Sequence, residues 1–355
     1  LCTLRPQVAA TQKITKGVWS GAIIRFAEAA VGFLPISLIC FLALFLGRDY
    51  LFPWIEHPTP ARGQWLTTSW VFWRDLAALL VVFGLSIAFV YHDMKPDLVA
   101  AREHVTGWKR SLYDRLVGNY AGSPEELSRI ENRINRLAPA LCLLYAYLFT
   151  LLAFDLIMSL APYWLSNLFG AFFFMGAFLT GLTMLGLMMV YWRGRLDMDE
   201  MVGHEQVHDL GKLIFGFSVF WAYLMYSQLL VIWYGNLREE TSFVFFRLWA
   251  DWRPIAVLVG LMVFLIPFWG LIWVKAKVTP LTFTLFALIS FAGIWLERYL
   301  LVQPSLTEAP AFGMPELGIT AGFLGLFLLA YGLFARAFPM VSPRLAAEAE
   351  FTGHH

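Results

Sequence analysis

One carboxylate lies inside a long apolar run, at Asp155 in the stretch Leu-Leu-Ala-Phe-Asp-Leu-Ile-Met-Ser-Leu. A charged side chain at the centre of a membrane span costs about 2.5–3.5 kcal/mol on insertion scales, so it requires a function or a partner. Ser159 follows four residues later and is predicted to lie on the same helix face. Two interpretations are open. The pair handles protons or a quinol headgroup near one membrane surface, or it makes hydrogen bonds between helices.

Further ionisable and amide side chains occur near the ends of apolar runs. Arg74 and Asp75 begin one run, and Glu297 and Arg298 end another. Gln228 reaches a depth similar to that of Asp155 in a third run. Glu297 and Gln228 are therefore candidates for the same proton or quinol chemistry. The alternative is that long side chains at these positions extend toward the membrane–water interface.

The histidines and cysteines argue against a resident redox group. A haem b in a helix bundle needs axial ligands, usually histidines, on facing spans. The seven histidines all lie outside the central parts of the apolar runs: His57, His92, His104, His204, His208, His354 and His355. The three cysteines, Cys2, Cys40 and Cys142, form no paired motif for an iron–sulfur cluster, a haem c or a zinc ribbon. We therefore expect no metal and no bound redox cofactor.

One short motif suggests zinc chemistry. His204-Glu-Gln-Val-His208 has the H-E-x-x-H spacing, which places two histidines on one helix face with a glutamate as general base. A working site needs a third ligand on the same side of the membrane. Only Glu348 and Glu350 in the C-terminal tail meet that condition, so the motif is better explained as the start of a helix. A membrane zinc metalloprotease is the less favoured alternative.

Composition indicates a membrane protein rather than a soluble domain. The 355 residues are 59% hydrophobic, 17% aromatic and only 14% charged, and the mean hydropathy is +0.65. Soluble domains carry about 25% charged residues. The formal net charge is +1, which gives no indication of a nucleic-acid partner. The bilayer is therefore the expected environment of most of the chain.

Apolar runs of about 18 residues or more predict membrane-spanning helices. Eight such runs occur: Ala29–Leu46, Trp70–Tyr91, Pro139–Leu160, Asn167–Trp192, Gly211–Tyr234, Pro254–Val274, Leu281–Leu301 and Leu317–Phe338. The predicted fold is an all-α integral membrane domain covering residues 1–355.

The distribution of basic residues predicts the orientation of these spans. Nineteen of the 26 Lys and Arg residues fall in the terminal segments and the connections 93–138, 193–213 and 275–280, whereas seven fall on the other side. Basic residues concentrate on the cytoplasmic side of membrane proteins. Both ends of the chain are therefore predicted to be cytoplasmic, and Asp155 lies near the outer surface.

The connection 93–138 is the longest. Ser123-Pro-Glu-Glu126 predicts a helix start with a capping box, which leads through a polar helix into the third span. The segment is too short for a catalytic domain. It is expected to be a cytoplasmic helical connection that serves as a docking surface or a strut.

Two long stretches resemble a known family. The run Phe154-Asp-Leu-Ile-Met-Ser-Leu-Ala-Pro-Tyr-Trp-Leu-Ser-Asn-Leu-Phe-Gly170 is similar to one signature of the F subunit of alternative complex III. The run from His208 to Thr241, which contains Phe-Trp-Ala-Tyr-Leu-Met-Tyr-Ser-Gln-Leu-Leu, resembles a second signature. With the similar order of spans, the resemblance extends from about Trp19 to Arg336. That subunit belongs to the NrfD/polysulfide-reductase-like membrane proteins.

The resemblance implies a cofactor-free subunit of a quinol:electron acceptor oxidoreductase in the cytoplasmic (inner) membrane of a bacterium. Its partners would be a second NrfD-like subunit, an iron–sulfur subunit and haem c subunits, which would hold all the redox groups. It also implies two adjacent four-helix bundles and, because family members have about ten spans, two spans before the first one seen here.

The resemblance further implies either a proton-conducting role or the binding of a quinol such as menaquinol. Asp155, Tyr223, Tyr226 and Gln228 lie in the matching stretches, so such a role would carry over to them first. With Ser159 and Glu297, which were chosen from their positions in the spans, they are the six candidate residues. The sister subunit next to the iron–sulfur protein is the better candidate for quinol oxidation. A free-standing secondary transporter is the main alternative, since transporters also place acids inside spans. We find no inverted repeat that would favour it.

Overall fold

The described part of the chain is helical throughout. The computed structural model describes residues 5–14, 23–57, 62–161, 163–196, 202–249 and 251–342, and these form helices and connecting turns without strands. Within these ranges, eight helices are long and apolar enough to cross a membrane, as the sequence predicted. We number them spans 1 to 8: Ile24–Leu46, Thr68–Arg102, Pro124–Leu160, Phe169–Arg195, His204–Gly235, Arg253–Leu271, Pro280–Ser305 and Met314–Ala337.

At one end of span 2 the observed helix extends well past the predicted span. The predicted span stops at Tyr91, but the helix continues through Arg102 because the acidic residues beyond Tyr91 are buried and paired. A short helix, Trp108–Val117, and a turn then lead to Pro124. The predicted capping box is confirmed: the Glu126 N–H donates to Ser123 Oγ (3.3 Å), and the Glu126 carboxylate accepts from the Ser123 N–H (3.2 Å).

Spans 4 to 7 pack against one another around span 4, the most buried of the eight. Span 4 packs against spans 5 and 7, and span 6 packs against span 7. Glycines allow the close approach of spans 4 and 7. A Cβ atom at Gly186 would lie 2.7 Å from Phe283 Cζ. Small residues at such contacts let helices pack tightly in lipid, where no hydrophobic force drives them together.

Spans 1 to 3 and span 8 form a second group of helices. Span 2 packs along span 3, the helix Arg5–Ile14 packs against span 3, and span 8 packs against the 3₁₀ turn Ala29–Phe33 of span 1. Span 3 also contacts span 4, which joins the two groups of helices. We call the span ends on the predicted cytoplasmic side inner and the opposite ends outer.

Two spans contain a turn of π-helix. One covers Ala153–Ile157 near the outer end of span 3, and the other covers Leu261–Leu265 in span 6. Such turns add one residue to the helical repeat and occur frequently at functional sites. The turn in span 3 contains Asp155, so local backbone geometry positions the most unusual residue of the sequence.

Candidate functional site

The Asp155 carboxylate is completely buried and held by two residues. Its Oδ1 accepts a hydrogen bond from Trp65 Nε1 (2.8 Å), and its Oδ2 accepts from Arg74 Nε (2.9 Å) and from Arg74 Nη2. The Arg74 guanidinium also lies 3.9 Å from the centre of the Trp65 ring. Burial of a carboxylate requires such pairing and hydrogen bonding. The sequence indicates Arg74 as a possible partner. Trp65, in the connection before span 2, has no sequence feature that indicates it.

A second carboxyl group, Asp75, lies beside Asp155. Asp75 is fully buried, interacts with Asp155, and has no described donor to either of its oxygens. Two adjacent buried carboxyl groups cannot both ionise without strong repulsion, and one proton between them relieves it. The site thus places two carboxyl groups beside the guanidinium of Arg74.

Ser159 does not point its hydroxyl at the Asp155 carboxylate. Its Oγ donates to the backbone carbonyl of Asp155 (2.6 Å), which stabilises the turn that ends span 3. The next segment is held by Arg62, whose Nη2 donates to the Trp164 carbonyl (2.7 Å). Ser159 therefore shapes the backbone of the site and does not extend the carboxylate pair.

Near the middle of span 2, spans 2 and 3 contribute two hydroxyl groups. Ser86 Oγ lies 3.4 Å from Tyr145 Oη, and both side chains are fully buried. Ser86 Oγ also donates to the Val82 carbonyl (2.7 Å). The pair is polar but uncharged, which suits the lowest-dielectric part of a span.

A cluster of charges lies at the inner end of the same helices. The buried Arg25 guanidinium pairs with Glu28, with Asp97 (2.6 Å) and with Asp93 (3.2 Å), and it donates to the Asp93 carbonyl (2.7 Å). Lys13 pairs with Asp93 from the other side (3.3 Å). Three carboxylates thus face two cations. Glu28 Oε1 is buried without a described hydrogen-bond partner, so the cluster has room for one more proton.

These groups follow one face of span 2. Asp75, Ser86, Asp93 and Asp97 fall within an arc of about 40° at 3.6 residues per turn. At a rise of 1.5 Å per residue, Asp75 and Asp93 are about 27 Å apart along the helix, close to the roughly 30 Å thickness of the hydrocarbon core. Buried polar groups therefore occur along a length of span 2 that is comparable with the thickness of the hydrocarbon core.

A separate cavity of about 90 Å³ lies among spans 4 to 7 and the helix Arg238–Leu248. Its walls are mainly aromatic and aliphatic, with four polar residues and one arginine. The polar and charged side chains that line it are Trp164, Trp221, Gln228, Arg247 and Glu297. Two predicted residues, Gln228 of span 5 and Glu297 of span 7, therefore line the same cavity. Asp155 belongs to span 3 and does not line it.

Arg247 closes one wall of this cavity through a stack of three side chains. Its guanidinium lies 3.5 Å from the centre of the Phe243 ring, whose other neighbour is the Trp164 ring at 3.7 Å and 6° between planes. Arg247 also donates to the carbonyls of Phe243 and Leu301 and to Ser305 Oγ. Burial lowers the pKa of Arg247 to about 9, which leaves the side chain charged at neutral pH.

The two predicted tyrosines lie apart from both the Asp155 site and the cavity. Tyr223 and Tyr226 are 61% and 62% exposed on the surface of span 5. Gln228 accepts a hydrogen bond from Ser166 (3.1 Å), and Glu297 pairs with Arg298 (3.3 Å). The six predicted residues therefore divide into Asp155 with Ser159, Gln228 with Glu297, and two surface tyrosines.

The H-E-x-x-H motif begins span 5. His204 is the first residue of the helix His204–Gly235, as expected for a helix start. Within the described ranges, His, Cys, Asp and Glu residues form no group of three or more that could hold a metal ion. The two proposed third ligands, Glu348 and Glu350, lie outside the described residues.

Sequence reasoning missed the inner cluster and three side chains of the cavity, Trp164, Trp221 and Arg247. The spacing of Asp75, Ser86, Asp93 and Asp97 would have revealed one face of a helix, had the helix been continued past Tyr91. Arg25, by contrast, comes from another segment, and no local pattern indicates that it packs against Asp93. Trp164 and Trp221 look like ordinary core residues in the sequence. What distinguishes them is an indole N–H group without a hydrogen-bond partner among the described residues, and only the structure reveals it.

Comparisons with known proteins add no further identification. No protein-family model matches the chain, and no curated protein matches it significantly. The chemistry of the two sites therefore carries the functional argument.

Proposed function

We propose that this chain is a cofactor-free integral membrane subunit of a quinol:electron acceptor oxidoreductase of the alternative complex III type. It anchors the complex in the inner membrane of a bacterium and conducts protons along one face of span 2. The observation that carries the proposal is the set of buried polar groups on that face, from Asp75, beside Asp155 of span 3, at the outer end to Asp93 and Asp97 at the inner end. Such residues are expensive inside a membrane and mark ion or proton pathways.

The three polar sites have complementary roles in this proposal. The Asp75–Asp155 pair exchanges a proton with the outer side, since one proton suffices for two adjacent carboxyl groups. Ser86 and Tyr145 offer hydroxyl groups that both donate and accept hydrogen bonds at the centre. The cluster around Arg25 exchanges protons with the inner side. Apolar side chains separate these sites, so a proton passes only when water enters the intervals.

The two signature stretches support the choice of complex. Their resemblance to the F subunit of alternative complex III implies a second NrfD-like membrane subunit, an iron–sulfur subunit and haem c subunits as partners. In the two-bundle arrangement of that family, spans 4 to 7 would form one bundle and spans 1 to 3 would belong to the other. Electrons would move in the partner subunits, and this chain would contribute the coupled proton movement.

The test is the replacement Asp155→Asn in the whole complex. Asparagine keeps the size of the side chain and one acceptor oxygen, which can serve Trp65 or Arg74, but it cannot exchange a proton. We expect an assembled complex that oxidises quinol with a reduced proton yield. Asp49→Asn, which changes an exposed acid at the same end of the spans, should leave the proton yield unchanged. An assembled Asp155→Asn complex with wild-type turnover and proton release would disprove the role of this residue.

A secondary transporter is the second candidate, because a buried cluster of acids and bases near one membrane surface also suits an ion-coupled substrate site. Purification separates the two functions. A subunit of an oxidoreductase should co-purify with haem proteins, whereas the chain alone should show no visible absorption. A transporter would purify as a monomer or a homo-oligomer. Bound zinc in the purified chain would instead support the metalloprotease.

A further inference from the structure

We propose that the cavity bounded by Trp164, Trp221, Arg247 and Glu297 binds the uncharged, oxygen-bearing headgroup of a membrane amphiphile. The headgroup offers an acceptor oxygen to the two indole N–H groups and a hydroxyl donor to Glu297. The site lies among spans 4 to 7, away from the polar face of span 2, and it does not depend on the proton pathway proposed above.

Four side chains of the cavity are buried with a polar atom that lacks a hydrogen-bond partner among the described residues. They are Trp164, Trp221, Arg247 and Glu297, with exposed fractions of 3%, 1%, 6% and 2%. The atoms are the two indole Nε1 atoms, Arg247 Nε and Glu297 Oε2, and they come from four different segments of the chain. Each unmet buried group costs about 1–3 kcal/mol, so native proteins satisfy such groups with water or a ligand. Four atoms without a hydrogen bond belong to side chains around one cavity, and of these only Glu297 Oε2 has an ion-pair partner among the described residues, Arg298 Nη1 at 3.3 Å. Together they indicate a common occupant.

The occupant must be apolar over most of its surface. A buried water needs two to four polar partners, so four unmet atoms serve only one or two waters. The remaining wall consists of side chains such as Phe172, Met225, Val259 and Leu300, which offer no hydrogen bonds. A cavity of about 90 Å³ exceeds the space that one or two waters occupy. An amphiphile fills the apolar part and brings oxygen atoms to the polar end.

The charges of the cavity favour a neutral headgroup. Arg247 and Glu297 are the ionisable residues of the lining, and their charges oppose each other. Arg298 supports Glu297 from behind, where its Nη1 lies 3.3 Å from Glu297 Oε2 and its Nη2 donates to the Phe173 carbonyl (2.8 Å). Most of the Arg247 guanidinium is already used by carbonyl groups and Ser305. A charged headgroup would therefore gain no unopposed partner.

The side of span 5 provides the entry. Met225, Gln228 and Leu229 line the cavity and are partly exposed, whereas Trp221 is buried at its deep end. Trp221 lies fourteen residues from Gly235, the last residue of the span, which corresponds to about 21 Å of helix. An amphiphile in the outer leaflet can thus insert its headgroup between half-buried side chains. Two kinds of molecule have the required chemistry: a quinol ring, and a lipid alcohol of the monoacylglycerol type.

The experiment uses photoreactive probes on the full chain in nanodiscs. One probe carries a hydroquinone ring, one a monoacylglycerol headgroup and one a plain alkyl chain, each with a diazirine near its polar end. We expect the first or the second to label peptides of the cavity wall, and the matching unlabelled compound to compete. Trp221→Phe and Glu297→Gln should each lower labelling about two- to tenfold, the range for one lost hydrogen bond. Tyr223→Phe, on the exposed face of span 5, should have no effect.

Each result decides between outcomes. Competition by the hydroquinone alone assigns a quinol-type ring, and competition by the monoacylglycerol alone assigns a lipid alcohol. Equal labelling of the cavity by the alkyl probe would show an apolar slot without headgroup recognition and would overturn the proposal. Absence of labelling from the cavity peptides with all probes would also overturn it. Thermal unfolding checks that each variant is folded. If a variant is not folded, competition by the unlabelled compounds on the wild-type chain tests the proposal instead.

Discussion

At the scale of single residues, Arg25 is the cation most completely enclosed by acids. Its guanidinium is 1% exposed, and it contacts carboxylates of Glu28, Asp93 and Asp97. Bringing three carboxylates together in a buried place is unfavourable unless a cation compensates them. Arg25 therefore fixes the relative positions of span 1 and span 2 at the inner end.

We expect Arg25→Gln to lower the free energy of unfolding by about 3–5 kcal/mol, because removal of one partner leaves buried charges unpaired. Arg48→Gln is the matched control. Arg48 also pairs with an acid, Asp49, but both side chains are about half exposed, and such pairs contribute about 0–1 kcal/mol. Denaturation of the purified chain in mixed detergent micelles measures both variants. Equal stability of the two variants would contradict the structural role of the cluster.

An unusual role for Asp155 could be predicted from the sequence, but not all of its partners could. A single acid in an apolar run is visible at once, and Arg74 and Asp75 at the start of the preceding predicted span were already candidates. Trp65 joins Asp155 only because the connection before span 2 folds back over the end of span 3, and Asp75 lies there because spans 2 and 3 pack along each other. Contacts of this kind depend on tertiary packing, for which one sequence provides no periodic signal.

At the scale of elements, the eight spans were predictable because a bilayer requires long apolar helices. The capping box at Ser123 was predictable because it depends on residues three apart in one segment. The π-helical turns were not, since an inserted residue in a helix leaves no compositional trace. The helix of span 2 continues past the predicted span end at Tyr91, because Arg25 pairs with Asp93 and Asp97 inside the protein, whereas hydropathy treats such acids as solvent-exposed.

The π-helical turn of span 6 packs against a glycine of span 7. A Cβ atom at Gly293 would lie 2.7 Å from Met262 Cβ and 2.8 Å from Val263 Cγ2. We therefore expect Gly293→Ala to push spans 6 and 7 apart and to destabilise the chain by about 1–3 kcal/mol, as overpacked cores do. The effect should appear as a lower midpoint in thermal unfolding of the purified protein.

Gly260→Ala is the control for this prediction. Gly260 precedes the same π-helical turn, but a Cβ atom there meets nothing within 4 Å. Alanine favours a helix interior over glycine by about 0.5–1 kcal/mol, so this variant should be neutral or slightly more stable. A Gly293→Ala variant as stable as Gly260→Ala would show that spans 6 and 7 do not pack as closely as described.

At the scale of the whole molecule, the two outer sites are physically linked. Trp65 donates to Asp155, and Arg62 in the same connection donates to the carbonyl of Trp164, whose ring lines the cavity. A movement of this connection would therefore affect both the carboxylate pair and the cavity. No property of the sequence predicts this link, because it joins segments about 100 residues apart.

The orientation of the whole molecule follows from its basic residues and decides which side each site faces. Nineteen of the 26 Lys and Arg residues lie on the side of residues 93–138 and of the His204–His208 segment, which predicts that this side is cytoplasmic.

In a chain whose three native cysteines are replaced by serine, Ser111→Cys and Ser128→Cys should therefore resist membrane-impermeant thiol reagents in intact cells. Both positions are exposed, so they should react after lysis. Ser242→Cys, exposed in the helix Arg238–Leu248 at the opposite ends of the spans, should react before lysis. The reverse pattern would invert the topology, and Asp155 would then exchange protons with the cytoplasm instead of the outer side.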